Sequence, residues 1–327
     1  MEYRTVGKTG IKVSSLCLGT MSFGATADEK TSKVMYNRCR EVGINFFDTA
    51  DVYSRGGSEE ILGRCIAQER DNIILTTKVF WPTSSDVNAK GLSRRHIMQG
   101  VEDSLRRLKT DYIDFYFVHD FDASTPVEET LRALDDLQRQ GKILYPAVSN
   151  WAAWQIGKAS GISAKEQLAR FELIQPMYSL VKRQAEVEIL PMAESEQIGV
   201  ITYSPLGAGL LTGKYGVDKR PEQGRLVEDA RYGDRYGANE NFVVAEAFTE
   251  YAQAHDMKPA TLAVAWVMAN PAVTAPIIGA RNLNQLEDSL AAIDFEMTPE
   301  MYAEISSLSR TPAPATDRGE VLTGKWS

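Results

Sequence analysis

The sequence predicts an α/β fold, a TIM-type (β/α)8 barrel with an N-terminal β-hairpin and a long loop after the seventh barrel strand. Three observations carry this expectation. Eight short apolar runs alternate with segments of helical period, and repeated strand–helix alternation builds a parallel sheet. The 327 residues are 43% hydrophobic with no break in composition, and α/β barrels reach this size as one domain. No Gly-x-Gly-x-x-Gly follows an early strand, which weighs against a doubly wound dinucleotide-binding sheet. Residues 1–327 are therefore expected to form a single barrel domain.

The elements follow in order. Residues 2–14 hold Gly7-Lys8-Thr9-Gly10 between short β-prone pieces and read as a hairpin. The barrel strands are expected at Leu16–Leu18, Ile44–Phe47, Ile73–Thr77, Ile113–Val118, Ile143–Val148, Phe171–Ile174, Val200–Tyr203 and Ala275–Ile278. Helices are expected between them. Ser32–Val42 places Val34, Met35, Cys39 and Val42 on one side, Ile97–Leu108 does so with Ile97, Val101, Leu105 and Leu108, and Thr130–Gln140 with Leu131, Leu134 and Leu137. Thr261–Met268 is apolar nearly all round and should be buried. Gly43, Asn72, Gly141 and Gly199 stand where helices should end, a position that favours the left-handed conformation. Residues 206–240 form a long Gly-, Arg- and Lys-rich insertion, and so long a loop in a compact domain is usually functional. The tail, 310–327, carries Pro312 and Pro314 with little periodicity. It is either disordered or folded over the barrel mouth.

The bulk numbers exclude several classes. A net charge of −8 without a long basic run does not suit nucleic acid. No apolar stretch reaches the ~18 residues of a membrane span, and Met1-Glu2-Tyr3-Arg4 lacks the apolar core of a signal peptide. Cys17, Cys39 and Cys65 are odd in number and lack metal-ligand spacing, so no metal site and a reduced, cytoplasmic setting are expected. Oligomeric state is not legible.

In barrels of this type the active site lies at the C-terminal ends of the strands. The residues that end or follow the expected strands are Gly19-Thr20, Asp48, Lys78, His119, Ser149-Asn150, Gln175, Ser204 and Gly279. Polar ends on apolar strands are the pattern of a polar site above a packed floor. Asp48, Lys78 and His119, with Tyr53 five residues after Asp48, bring an acid, an amine, an imidazole and a phenol together. Each alone has an ordinary structural explanation. As a set they make a proton-transfer site. A phenol of pKa ~10 is a poor acid at neutral pH, and a nearby ammonium lowers that value. A carboxylate keeps the ammonium charged and in place, and an imidazole orients a carbonyl. The set would polarise a C=O and protonate the forming alkoxide. No side chain supplies a hydride, so reduction requires a cofactor.

At these residues the sequence resembles the aldo-keto reductases, over nearly its whole length. The matching pieces are Gly19-Thr20-Met21-Ser22-Phe23-Gly24, Asp48 to Tyr53, Lys78, His119, Ser149-Asn150, Gln175-Pro176, Tyr203-Ser204-Pro205-Leu206-Gly207, Gly213-Lys214-Tyr215 and Gly279-Ala280-Arg281. The long seventh loop is similar to that of the bacterial branch related to potassium channel β subunits. The resemblance implies that Tyr53 is the general acid in reduction, that Lys78 lowers its pKa while held by Asp48, and that His119 orients the carbonyl. It implies that Ser149, Asn150 and Gln175 bind the nicotinamide amide and that Tyr203 stacks on its ring. Gly19, Thr20 and Met21 would line the ribose. Ser204, Leu206, Gly209 and Lys214 would wrap the pyrophosphate with Arg225 nearby, so that 206–240 covers the cofactor. Gly279, Arg281, Gln285, Asp288 and Ser289 would surround the adenosine end. The family often has Glu-Asn where this chain has Asp288-Ser289, and a basic residue in place of Gln285. Arg281 still offers a fork of donors for a 2′-phosphate, which favours NADP(H) and leaves NAD(H) open. Its plainer reading is a cap on the last barrel helix.

Phe23, Trp81, Phe121 and Trp151 follow strand ends and either wall a substrate pocket or pack beneath loops, and Val321, Leu322 and Trp326 of the tail would add to such a wall. The expected partner is a small aldehyde, ketone or sugar carbonyl. Alternatives are a sugar or polyol dehydrogenase working in the oxidative direction, a Schiff-base lyase built on Lys78, and a nucleotide-binding regulatory partner without turnover.

Overall fold

Hydrogen bonding closes eight parallel strands into a barrel in a computed structural model that describes residues 1–320. An antiparallel hairpin, β1 (Tyr3–Thr5) and β2 (Lys12–Ser14), precedes it. The barrel strands are β3 (Cys17–Gly19), β4 (Phe46–Asp48), β5 (Ile74–Val79), β6 (Ile113–Val118), β7 (Ile143–Ser149), β8 (Leu173–Gln175), β9 (Gly199–Thr202) and β10 (Ala275–Ile278). Each pairs with the next in sequence, and β10 returns to β3. This is the (β/α)8 barrel that the alternation of runs predicts. Phe171–Ile174 becomes Leu173–Gln175, and Tyr203 leaves its strand for a single bridge to Met177.

Strand side chains alternate between two faces, and the two faces here enter different cores. Leu18, Phe47, Leu75, Tyr116, Val118, Val148, Ile174, Val200 and Ile278 point outward into the layer beneath the helices. Cys17, Phe46, Phe115, Phe117, Ala147, Leu173, Ile201 and Ala275 fill the barrel interior, where Val6 and Val13 of the hairpin join them as a plug. The inward row continues by period two to Asp48, Lys78, His119, Ser149 and Gln175. The polar residues therefore sit above an apolar floor.

The helices begin earlier than their apolar periodicity suggests. Glu29–Glu41 starts at Asp28, whose carboxylate accepts the Thr31 N–H at 2.8 Å, and Arg94–Leu108 starts at Ser93, whose hydroxyl accepts the His96 N–H at 3.3 Å. Their first turns are polar and capped, so periodicity reports only the later, buried turns. Val127–Arg139 and Pro259–Met268 also begin earlier, without a side-chain cap.

Gly43 and Gly141 take the left-handed conformation, with φ of 90° and 73°. Two other expected helix ends need correction. Asn72 closes a short 3-10 turn, Arg70–Asn72. Gly199 opens β9, and Gln197 takes the left-handed cap instead, with φ 52°. Gly199 answers a different need, the close approach of the hairpin plug. A Cβ there would lie 2.5 Å from Val6 Cγ1 and 3.2 Å from the Gly7 nitrogen. Gly199→Ala is expected to cost about 1–3 kcal/mol through overpacking, measured as a lower urea midpoint at unchanged slope.

The 206–240 insertion has structure of its own. It contains a 3-10 turn, Gly207–Thr212, and helices Arg225–Glu228 and Ala230–Tyr236. Ala208, Leu210, Tyr215 and Tyr236 join Phe242 and Ala245 of the following helix in a separate small core. Val321, Leu322 and Trp326 lie outside the described residues. No helix among the described residues is long and apolar enough to cross a membrane.

Candidate active site

Asp48 ends β4 and Lys78 lies next to the end of β5, both facing the barrel axis. Lys78 is fully buried, and all three of its donors are used: Asp48 Oδ1 at 2.7 Å, Asp48 Oδ2 at 2.6 Å and the Thr49 carbonyl at 2.7 Å. Asp48 Oδ1 also accepts from Thr76 Oγ1 at 2.6 Å and from Gln175 Nε2 at 3.0 Å. Burial works against the lysine charge, but Asp48 and then Tyr53 outweigh it and hold its pKa above the ordinary value. Such a pair, removed from water and saturated with hydrogen bonds, fixes the ammonium in one place at the base of the mouth.

Tyr53 follows β4 in a tight turn, with its N–H donated to the Ala50 carbonyl at 3.1 Å. The Lys78 ammonium lies 5.2 Å from its ring centre, and the His119 ring 6.1 Å from it, edge-on at 79°. Burial raises the phenol pKa, and Lys78 pulls it down by less, so the net direction is upward. The expected lowering by the ammonium is thus an offset against a larger desolvation effect. Tyr53 holds its proton at neutral pH, as an acid must. Burial drives the His119 imidazole well below its usual pKa, and Lys78 pushes the same way. The ring is neutral and has one N–H to give, while its Nδ1 is buried without a partner.

The remaining expected residues spread over one rim. Ser149 Oγ donates to the Gln175 carbonyl at 2.9 Å. Asn150, in the left-handed conformation with φ 60°, spans from the His119 carbonyl, where its Nδ2 donates at 2.9 Å, to the Tyr203 hydroxyl, which donates to its Oδ1 at 2.8 Å. Thr20 is turned into the protein, where Oγ1 meets Ser58 Oγ at 2.8 Å and the Asp48 carbonyl at 3.1 Å, while Met21 is exposed. A Cβ on Gly279 would lie 3.3 Å from the Gly19 carbonyl oxygen across the β10–β3 seam. Ser204, with φ 61°, and Gly209, with φ 100°, turn the start of the seventh loop below Leu206.

Lys214 and Arg225, further along the same loop, gather with Arg281. The Lys214 Nζ stands 3.6 Å from where a Gly209 Cβ would be. Burial, Arg281 and Arg225 all lower the Lys214 pKa, while Glu228 opposes them. Arg281 Nη2 donates to Glu228 at 2.7 Å, and its N–H donates to Gln285 Oε1 at 3.1 Å. A set of cations that destabilise one another beside a glycine-lined turn suits a polyanionic ligand. A dinucleotide pyrophosphate meets that requirement with these residues. At the far end Asp288 Oδ1 is paired with Lys258 at 2.7 Å and Ser289 is buried.

Two of the expected pocket aromatics are packing residues. Phe23 is fully buried in the outer core. Trp151 is 4% exposed and stacks edge-on between Phe121 and Phe171. Trp81, 43% exposed, and Phe121 remain at the surface of the mouth, and Trp154, which sequence reasoning passed over, stands 6.3 Å from Phe121 and is 65% exposed. Tyr232 was also missed. Its ring lies 5.6 Å from Arg225 and 5.7 Å from Arg235, and its hydroxyl is within electrostatic reach of Tyr53. The insertion therefore reaches Tyr53 as well as the cation cluster.

Comparison with known proteins agrees with this arrangement. The model of the aldo/keto reductase family matches residues 15–310. An uncharacterized oxidoreductase of Bacillus subtilis is 36% identical over 97% of this chain and 98% of its own length. Probable voltage-gated potassium channel β subunits are also similar. The one from Oryza sativa is 35% identical over 97% of this chain and 99% of its own length, and that from Arabidopsis thaliana is 37% identical over 90% and 92%.

Proposed function

We propose, from the premise that the chain belongs to the aldo/keto reductase family, that it is an oxidoreductase that reduces an aldehyde, ketone or sugar carbonyl with NADPH. The observation that carries this reading is the buried Lys78–Asp48 pair directly beneath the Tyr53 ring. The nicotinamide supplies the hydride when bound. The chain's own residues do the rest. The neutral His119 donates its single N–H to the substrate oxygen and aims the carbonyl. Tyr53 gives its proton to that oxygen as negative charge develops on it. Lys78 stabilises the phenolate left behind, which is where its offset of the desolvation effect acts. Asp48 keeps the ammonium in place. In the oxidative direction the same phenolate takes the proton back. Ser149, Asn150 and Gln175 would hold the amide of the nicotinamide, Tyr203 would stack on its ring, and Lys214 and Arg225 would hold the pyrophosphate. The Trp81, Phe121 and Trp154 side of the mouth suits an apolar or sugar-ring substrate face.

A screen of aldehydes, ketones and sugars with NADPH and with NADH tests the reading. NADPH oxidation by at least one carbonyl class supports it, and tight nucleotide binding without turnover across the panel overturns it. That second outcome is the behaviour of a regulatory partner, a reading favoured only by the likeness to proteins described as channel β subunits.

The preference for NADPH rests on Arg281. Its forked donors suit a 2′-phosphate, although Glu228 now occupies one of them. Arg281→Ala is expected to weaken NADPH binding about tenfold or more, as a charge-assisted contact of ~1.5–3 kcal/mol implies, and to leave NADH binding within about twofold. Fluorescence titration with each nucleotide reads the ratio, and an equal loss for both removes Arg281 from that role.

A further inference from the structure

A cluster of buried polar side chains behind β5 takes no part in the proton transfer as described. Helix Gly57–Ile66 and helix Arg94–Leu108 cover it from outside the barrel. Glu59 is fully buried there, with Oε1 accepting from Thr77 Oγ1 at 2.5 Å and Oε2 from Arg107 Nε at 2.6 Å. Asp51 is 2% exposed, and neither of its carboxylate oxygens has a hydrogen-bond partner. The buried hydroxyl of Tyr116 has none either. Two buried acids thus face one guanidinium, and that guanidinium is committed to Glu59. A carboxylate ion kept from water without donors is strongly disfavoured, whereas a neutral carboxylic acid is not.

Asp51 sits in the turn that carries Tyr53. Its N–H donates to the Lys78 carbonyl at 3.3 Å, the preceding Thr49 N–H donates to the Thr76 carbonyl at 3.0 Å, and Lys78 Nζ holds the Thr49 carbonyl. The side chain of Asp51 joins this cluster while Tyr53, two residues later, returns to the mouth. We propose that Asp51 is a positioning residue for proton transfer: as a neutral acid set among Glu59, Arg107 and Tyr116, it anchors the turn from Asp48 to Tyr53 and so fixes the phenol over Lys78. The proposal rests on the reading of Tyr53 as the acid.

The surrounding charges set the pH at which the anchor fails. Burial and then Glu59 favour the neutral form. Arg107 opposes them, as do the Val52 N–H, which lies close without forming a proper bond, and Lys78, and the balance pushes the carboxyl up to about 8. Asp103, further along the Arg107 helix, acts on Tyr116 together with Asp51, Glu59 and Arg107. Above about pH 8 the ionised side chain is driven toward water and takes the turn with it.

The pH profile of kcat for carbonyl reduction tests this. Wild type is expected to lose kcat with one proton near pH 8. Asp51→Asn, which keeps the neutral shape, should carry kcat at least about one pH unit higher, and Asp51→Ala should lose kcat at every pH. An unshifted limb in Asp51→Asn overturns the proposal. If that variant does not fold, the infrared carbonyl band of a protonated carboxyl in the wild type decides. Its disappearance together with kcat supports the proposal, and its absence at pH 7 or its persistence while kcat falls overturns it. If the chain reduces no carbonyl, the reading of Tyr53 fails and the positioning role fails with it, whereas the infrared band still reports the neutral acid.

Discussion

Tyr53→Phe is expected to lower kcat for carbonyl reduction by about 10²–10⁴-fold, the usual worth of a positioned proton donor, while NADPH still binds. The replacement removes one oxygen and leaves the ring, so the contact with Lys78 at 5.2 Å and the edge of His119 at 6.1 Å keep their geometry. What disappears is the only expected proton donor of the set with the right sign of shift. Lys78 is held as an ammonium with every donor spent on Asp48 and Thr49. His119 is kept neutral by burial and Lys78, so giving up its one N–H as a proton would create an anionic ring beside a substrate gaining negative charge. Single-turnover reduction with premixed NADPH separates the chemical step from nucleotide release. Turnover equal to wild type would move the acid elsewhere. Since the Tyr53 phenol lies above its ordinary value, its own loss of proton falls at the far alkaline end of the profile, away from the limb assigned to Asp51.

The residues legible in the sequence were those that a period of two can place. Phe46 and Asp48, Phe117 and His119, Ala147 and Ser149, and Leu173 and Gln175 each continue one inward row from apolar floor to polar rim. Placing the strands places the candidate site. Past the strand ends no such period exists. Phe23 and Trp151 lie close after their strands, as Trp81 and Phe121 do after theirs, yet the first two turn into the core, because long-range packing, such as that of Trp151 on Phe171, decides their direction. The insertion hid its order for the same reason. Its core joins Leu210, Tyr215 and Tyr236 to Phe242 and Met177, partners that no local pattern links, and Tyr232 is placed by that core. Asp51 lies inside the Asp48 to Tyr53 segment, and the strand-end pattern assigns it no role. A signal was available: a second acid inside a five-residue spacing that ends on the expected proton donor, with Glu59 soon after on an amphipathic helix.

Lys78→Met should remove turnover and also destabilise the fold by about 3–5 kcal/mol, the cost of leaving one partner of a buried ion pair behind. The size follows from what remains. Asp48 is 2% exposed and would keep Thr76 Oγ1 and Gln175 Nε2 as donors to Oδ1, while Oδ2 would lose its donor from Lys78 at 2.6 Å. The Thr49 carbonyl, a hinge of the turn that carries Tyr53, would lose its donor as well. Urea unfolding measures the loss, which should appear as a lower midpoint with an unchanged slope. The double replacement of Lys78 by Met and Asp48 by Asn separates the two roles. It removes the uncompensated charge while Asn still offers an acceptor to Thr76, so a large part of the stability should return, and turnover should not. Had the pair been chiefly a structural clamp, stability and turnover would recover together. A well-packed apolar replacement of a buried ion pair is often neutral or stabilising, so stability alone does not explain a fully satisfied lysine at the base of this mouth. The charge under the phenol does.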